Sequence, residues 1–310
     1  MKQFRGALKL LTITALIWGT AFVAQSLGMD HLGPFAFNGV RNFIAALALL
    51  PVLLFMQRKA PKKTQTDEER KQSRKTLVGG RRAVRLGDLP WPPNLSAVRH
   101  QLYDSGRRPD FCTALYIVIV PILGLFLQKT RRPLTVWVSV VIAAAGTYLL
   151  SVQEGFTIAP GDLLVILCAL GFSVHILIID RFSPMVNGVA LSCVQFIVCG
   201  ILCTAAALFT ETFTLADILK SAGPLLFTGL MSSGVGYTLQ ILGQKDTPPA
   251  VASLIMSLES VFAALSGWLV LGQSMNGREL LGCVLVFAAV ILAQIPLETL
   301  EKEKAVKKTA

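Results

Sequence analysis

Charged residues are scarce in this 310-residue chain and unevenly placed. Only 15% of its residues are Asp, Glu, Lys or Arg, whereas 53% are hydrophobic, and the mean hydropathy is +0.61. Soluble domains contain roughly a quarter charged residues, so this composition argues against a soluble fold. The pI of about 9.6 does not indicate nucleic-acid binding. The basic residues lie in loops beside apolar runs, where they set the orientation of membrane helices.

The usual signatures of a catalytic or metal site are also missing. The six cysteines show no CxxC or other metal-ligand spacing. Cys112 opens an apolar run and the other five lie within such runs, which is typical of small apolar side chains. No phosphate-binding loop, zinc signature or nucleophile elbow is present in the sequence. The sequence therefore predicts no enzyme, no bound metal and no cofactor.

Apolar runs account for most of the chain. They lie at residues 8–28, 34–56, 112–128, 133–152, 160–179, 187–209, 222–243, 249–271 and 278–297. A membrane-spanning helix needs about 20 mainly apolar residues, and only helices or closed barrels satisfy their backbone polar groups in lipid. Because the runs are continuous, without the alternation of strands, they predict an all-α polytopic membrane protein.

Residues 58–111 do not fit this pattern. They hold 14 of the 29 Lys and Arg residues and 6 of the 18 Asp and Glu residues. Basic loops favour the cytoplasmic side, which places both 58–75 and 129–132 inside. An even number of crossings must then separate these loops, yet only the run 112–128 lies between them. One crossing is missing, and 76–111 cannot supply it, since three of residues 90–93 are proline.

Two interpretations of residues 76–111 stay open. With codons chosen among the permitted ones, a one-base shift between Arg81 and Gly106 can encode a mostly apolar segment of helical length. The stretch would then be a third membrane helix lost through a compensated frame error, leaving about nine spans of an original ten. Alternatively, it is a genuine cytoplasmic loop in a protein of altered topology.

Restoring the third helix gives two halves of five helices, which would insert in opposite orientations, as in inverted-repeat transporters. Five short motifs are spread along these two halves. They are Leu16-Ile17-Trp18-Gly19-Thr20-Ala21-Phe22, Pro34-Phe35-Ala36-Phe37 followed by Arg41, Thr113-Ala114-Leu115 through Pro121, Gly161-Asp162, and Ala252-Ser253-Leu254 through Leu271-Gly272. In order and spacing they resemble the EamA family of the drug/metabolite transporter superfamily. The chain departs from that family at Ser260, where Pro is common, at Gln273, where Glu is common, and over 76–111.

This resemblance implies a permease, often an exporter, that moves a small metabolite or drug-like solute by alternating access without a cofactor. The expected organisation is a first repeat at 1–152, a second at 160–298 and a cytoplasmic tail at 299–310. Both termini would be cytoplasmic and the membrane would be the inner one. The expected partners are a small-molecule substrate and the lipid bilayer, with no nucleic acid, and a homodimer is compatible with the sequence.

Two rival functions differ in class. A non-transporting or inactive membrane protein would follow from the disrupted third helix. A membrane-embedded enzyme would need a cluster of polar residues, which the sequence does not show.

Two ionisable residues inside apolar runs are candidates for substrate binding or coupling. Glu259 lies near the middle of the run 249–271, where a carboxylate is costly unless it faces a cavity or a partner. It could exchange a proton, bind a cationic group, or be a buried structural residue. Arg41 lies a third of the way into its run. It could bind an anionic group of the substrate, pair with Glu259, or extend to the membrane interface.

Four further candidates follow from aromatic and polar residues on apolar runs. His175 is the one histidine in the run 160–179. It could take part in binding, or it could be a hydrogen-bonded packing residue. Trp18, in the first helix, could line a central cavity or simply fill the interior. Tyr237 and Gln240, in the eighth helix, could line the same cavity, and the nearby Gly229, Gly234 and Gly236 predict a weakened helix there.

Overall fold

The structure is a computed structural model that describes residues 2–29, 31–59, 115–127, 133–151 and 160–309. The stretch 76–111 lies outside the described residues, as does most of the basic segment around it. Both interpretations of that stretch therefore stay predictions.

The described residues form helices joined by short turns. The helices are α1 (Lys2–Met29), α2 (Pro34–Lys59), α3 (Tyr116–Leu127), α4 (Leu134–Ser151), α5 (Pro160–Phe182), α6 (Gly188–Thr210), α7 (Leu215–Lys220), α8 (Ala222–Phe227), the π-helix π1 (Thr228–Tyr237), α9 (Thr238–Gln244), α10 (Pro249–Met256), α11 (Leu258–Leu271) and α12 (Gly277–Thr309).

Each predicted apolar run is mainly helical where the structure describes it. Among the described residues, six spans are long and apolar enough to cross a membrane: Phe4–Gln25, Pro34–Met56, Gly188–Thr210, Ala222–Gln244, Pro249–Val270 and Gly277–Ile295. Tyr116–Leu127 and Leu134–Leu150 are shorter apolar helices. The prediction of an all-α polytopic membrane protein is confirmed.

Two spans are less regular than the sequence predicted. The run 249–271 was expected as one helix, but it turns at Ser257 between α10 and α11. The Ser257 hydroxyl donates to the Leu254 carbonyl at 2.6 Å, and the Ser260 N–H donates to the Ser257 carbonyl at 3.1 Å. Hydrogen bonds to residues only three positions back tighten the turn and interrupt the helix. The run 222–243 widens into π1, where three glycines had predicted a weak helix.

Glycines allow two pairs of helices to approach closely, and each pair joins one helix before residue 152 to one after residue 160. In the pair α4–α12, a Cβ added at Gly146 would lie 2.8 Å from the Gly282 carbonyl oxygen, and one at Gly282 would lie 2.6 Å from the Gly146 oxygen. In the pair α2–α6, Gly200 lies against the ring of Phe43. Small residues at such crossings let membrane helices come together.

Helix α1 is held between α11 and π1. A Cβ at Gly19 would lie 2.7 Å from the Glu259 carbonyl oxygen, and one at Gly236 would lie 2.7 Å from Nε1 of Trp18. The backbone of α1 therefore lies directly against α11 on one side, and the backbone of π1 lies against Trp18 on the other. This arrangement places Trp18 in the middle of the bundle.

Polar contacts fasten the end of the bundle where α1 ends and α2 begins, here called the α1–α2 end. The Glu211 carboxylate, just after α6, accepts from the backbone N–H groups of Phe35 and Ala36, each at 2.8 Å. It thereby supplies the negative group that a helix N-terminus favours. The Ser221 hydroxyl donates to the Gly28 carbonyl at 3.0 Å. These contacts tie the α1–α2 turn to the segment between α6 and α8.

The glycine crossing of α4 and α12 predicts a loss of stability when a methyl group is added. We expect G146A and G282A each to lower the stability of the detergent-solubilised protein by about 1–3 kcal/mol, because the two backbones must move apart. G6A is the matched control, since a Cβ at Gly6 meets nothing within 4 Å. Thermal unfolding of the purified variants measures the effect. Equal melting temperatures for G146A and G6A would contradict the close crossing.

Candidate functional site

Six ring-bearing side chains from five helices meet in the bundle, and we call them the central aromatic cluster. Its members are Trp18, Tyr116, Phe172, His175, Phe196 and Tyr237. The ring centroids are 4.8 Å apart for Trp18–Tyr237, 5.1 Å for Tyr116–Phe172, 5.8 Å for Trp18–Phe172, 5.9 Å for Phe172–His175, 5.9 Å for Phe196–Tyr237 and 6.2 Å for His175–Tyr237. These separations are those of favourable aromatic pairs.

The wide turn of π1 fixes Trp18 within this cluster. The Trp18 indole N–H donates to the Ser232 carbonyl at 3.2 Å, and the Thr14 hydroxyl donates to the Gly236 carbonyl at 3.2 Å. Both acceptors are backbone groups of π1, so α1 bonds to the irregular helix itself rather than to side chains on it. Short π-helical segments occur frequently at functional sites.

Glu259 lies beside the cluster at the start of α11. Its side chain is 7% exposed, and its Oε1 accepts from the Tyr116 hydroxyl at 3.1 Å. As the second residue of α11 it also sits at the positive end of that helix, which favours a negative group. The small residues Ser253, Ser257 and Ser260 of the same span are buried as well. The structure thus places the carboxylate inside the bundle with a hydroxyl donor.

Arg41 lies inside the bundle rather than at its surface. Its side chain is 4% exposed, and its Nη1 donates to Oε1 of Gln25 at 3.1 Å. Its Nε has no hydrogen-bond partner among the described residues. The Tyr237 side chain interacts electrostatically with both Arg41 and Glu259.

His175 and Gln240 are both fully enclosed. His175 is 6% exposed and stacks on Phe172 with an interplanar angle of 15°, while its Nε2 has no partner among the residues that the structure describes. Gln240 donates to Oε1 of Gln244 at 2.9 Å, and Gln244 donates to the Ile176 carbonyl at 3.3 Å. His175 belongs to the central aromatic cluster, whereas Gln240 is bonded into a chain that ties α9 to α5.

A groove opens beside α5 at the end of the bundle away from the α1–α2 end. Its volume is about 810 Å³. It is lined by Leu127, Val174, Leu177, Ile178, Asp180, Arg181, Phe182 and Pro184. Val174 and Leu177 flank His175 along α5, so the groove reaches the helix that supplies two members of the cluster.

Sequence reasoning missed three side chains of this site. Tyr116 lies inside the motif that runs from Thr113 to Pro121, but a tyrosine at the start of an apolar run carries no signal of its own. Phe172 and Phe196 lie in apolar runs, where an aromatic residue most often fills the interior. The spacing of Phe172 and His175, which puts both on one face of α5, was the signal that could have identified a cluster.

Comparisons with known proteins agree with this architecture. The model of the EamA-like transporter family matches residues 5–70 and 159–294. An uncharacterised transporter of Archaeoglobus fulgidus is 31% identical over 289 residues, which cover 92% of this chain and 84% of that protein. The uncharacterised transporter YoaV of Bacillus subtilis is 23% identical over a region that covers 92% of this chain and 95% of YoaV.

Two further proteins extend this agreement. The uncharacterised inner membrane transporter YedA of Escherichia coli K12 is 23% identical over a region that covers 89% of this chain and 87% of YedA. A protein of known crystal structure shares the fold with a TM-score of 0.74 at 16% identity, over 93% of this chain and 98% of that one. The matched ranges and the identity to the archaeal protein, taken with the all-helical bundle, lead to one conclusion: this chain belongs to the EamA-like transporter family.

Proposed function

We propose that this chain is a secondary transporter that moves a small metabolite or drug-like solute out of the cell by alternating access. The observation that carries the proposal is the central aromatic cluster with Glu259 at its edge. An ionisable group inside a membrane protein is costly and marks a substrate or ion pathway. The cluster also lies between helices of both proposed repeats, where transporters of this architecture bind their substrates.

The two repeats that we propose are residues 1–152 and 160–298, with the tail at 299–310. The close pairs α2–α6 and α4–α12 support this division, because each joins one helix from either repeat. Lys2 and Arg5 at one terminus, the basic loop 129–132 and the lysines of the tail favour a cytoplasmic location for both termini. With this orientation the α1–α2 end faces away from the cytoplasm.

The contacts at the two ends of the bundle favour an inward-facing or closed state. Glu211 and Ser221 fasten the α1–α2 end, whereas the groove opens at the opposite end. In alternating access the fastened end must separate when the site opens outward. The Glu211 and Ser221 contacts would then break, and the space beside α5 would close.

We assign Glu259 the role of proton carrier. In the state described here its carboxylate is held by the Tyr116 hydroxyl. Export coupled to proton entry would load one proton onto Glu259 from the outside and release it to the cytoplasm. The Tyr116 hydroxyl would then accept or donate according to the protonation of its partner.

A second candidate function is that of a membrane protein that does not transport. The observation that favours it is the gap in the family match between residues 70 and 159, which contains the stretch 76–111. A chain that lacks its third helix would keep the other contacts described above and move no solute. Reconstituted flux separates the two functions directly.

The assignment of Glu259 predicts that E259Q abolishes coupling. In proteoliposomes that contain a pH-sensitive dye, we expect wild-type protein to move protons when a transported amine or organic acid from a small panel is added. E259Q should reduce this proton movement at least tenfold, because an amide cannot carry the proton. A tenfold change in rate corresponds to about 1.4 kcal/mol in the activation barrier.

The matched control is E301Q, an identical substitution in the tail. It should behave as wild type does. Transport by E259Q with the same rate and the same pH dependence as wild type would remove Glu259 from the mechanism. No flux from the wild-type chain would favour the non-transporting alternative.

A further inference from the structure

Arg41 has the properties of an anion-binding group. Its guanidinium has five N–H donors and no acceptor, and the side chain is 4% exposed. Toward the described residues it uses Nη1, on Gln25, while Nε has no partner among them. A buried cation is costly unless an anion compensates it.

Four described residues near Arg41 do not provide that anion. They are Gln25, Tyr237, Cys199 and Cys203. Glutamine is uncharged, and tyrosine and cysteine are ordinarily neutral at pH 7. The positive charge therefore lies in the bundle without a carboxylate among these neighbours.

π1 carries two further hydroxyl groups on the side that lies against α2. A Cβ added at Gly229 would lie 3.0 Å from the Arg41 carbonyl oxygen, so this face of π1 lies against α2. Ser233 and Tyr237 follow at intervals of four residues, about one turn each, on that face. Ser233 is 1% exposed, and its hydroxyl has no partner within the described part of the chain.

We propose that Arg41, with Ser233 and Tyr237, binds an oxyanion group of the transported solute. This inference deepens the proposed function and rests on it. Guanidinium recognises carboxylate and phosphoryl oxygens through paired N–H donors, and the two hydroxyls supply additional donors. Tyr237 also belongs to the central aromatic cluster, so the remainder of the solute lies on the rings. The substrate class is therefore a small organic anion with a flat or apolar body.

Binding by the purified full-length chain tests the site. The probes are phenylacetate, phenyl phosphate and the neutral phenylacetamide, and isothermal titration calorimetry measures their dissociation constants in detergent. We expect wild-type protein to bind one of the two anions at least tenfold more tightly than the amide. R41Q should lose that preference, with at least a tenfold weaker affinity for the anion and an unchanged affinity for the amide.

The control variants separate charge from folding. R58Q makes the same substitution near the exposed end of α2 and should keep the wild-type preference. R41K keeps the charge but loses the planar fork, so it should bind the anion with an intermediate affinity. If R41Q does not fold, R41K and the wild-type comparison of acid with amide decide the question.

The two anionic probes also identify the chemistry of the ligand. Tighter binding of phenylacetate assigns the site to carboxylates, and tighter binding of phenyl phosphate assigns it to phosphoryl groups, provided that R41Q abolishes either preference. Equal binding of acid and amide by wild type, no binding of either anion, or an unchanged preference in R41Q would overturn the inference. Anion binding that depends on Arg41 in a protein without flux would reject the proposed transport and leave the site standing.

Discussion

Close approach of helix backbones at glycine is the constraint on which the rest of the structure depends. Lipid offers no hydrophobic gain for bringing apolar helices together, so their association relies on packing and on interhelical hydrogen bonds. At Gly19 and Gly236 any Cβ would overlap a neighbouring helix. These two positions hold α1 between α11 and π1, and they set Trp18 among the other rings. Glu259 and Arg41 are buried within this packing.

The irregular parts of the structure lie around the same place. The turn at Ser257 starts α11 just before Glu259, and π1 presents backbone carbonyls to Trp18 and Thr14. In transporters, interrupted helices at the level of the binding site supply helix ends and backbone groups to the ligand. The second proposed repeat contributes both interruptions. The first contributes Arg41 on α2.

The sequence predicted the spans better than their irregularities. Apolar length is a local property, so the membrane helices could be read directly from runs such as 34–56. The turn at Ser257 and the wide π1 depend on contacts between helices, and only the glycines of π1 gave a hint of them. Glu259 could be found because a carboxylate inside an apolar run is exceptional. Tyr116, its hydrogen-bond donor, could not, because aromatic residues inside such runs are ordinary, and only the fold brings it to Glu259.

Alternating access requires the α1–α2 end to open, and a distance across that end tests it most directly. Spin labels at His31 and Lys220, both exposed, can be introduced in a background with the six cysteines replaced by alanine. Pulsed electron paramagnetic resonance in nanodiscs would then measure their separation across a range of pH. The proposed mechanism predicts two separations, a short one as in this structure and a longer one, with populations that shift with pH and with a bound organic anion. A single short separation under all these conditions would contradict it.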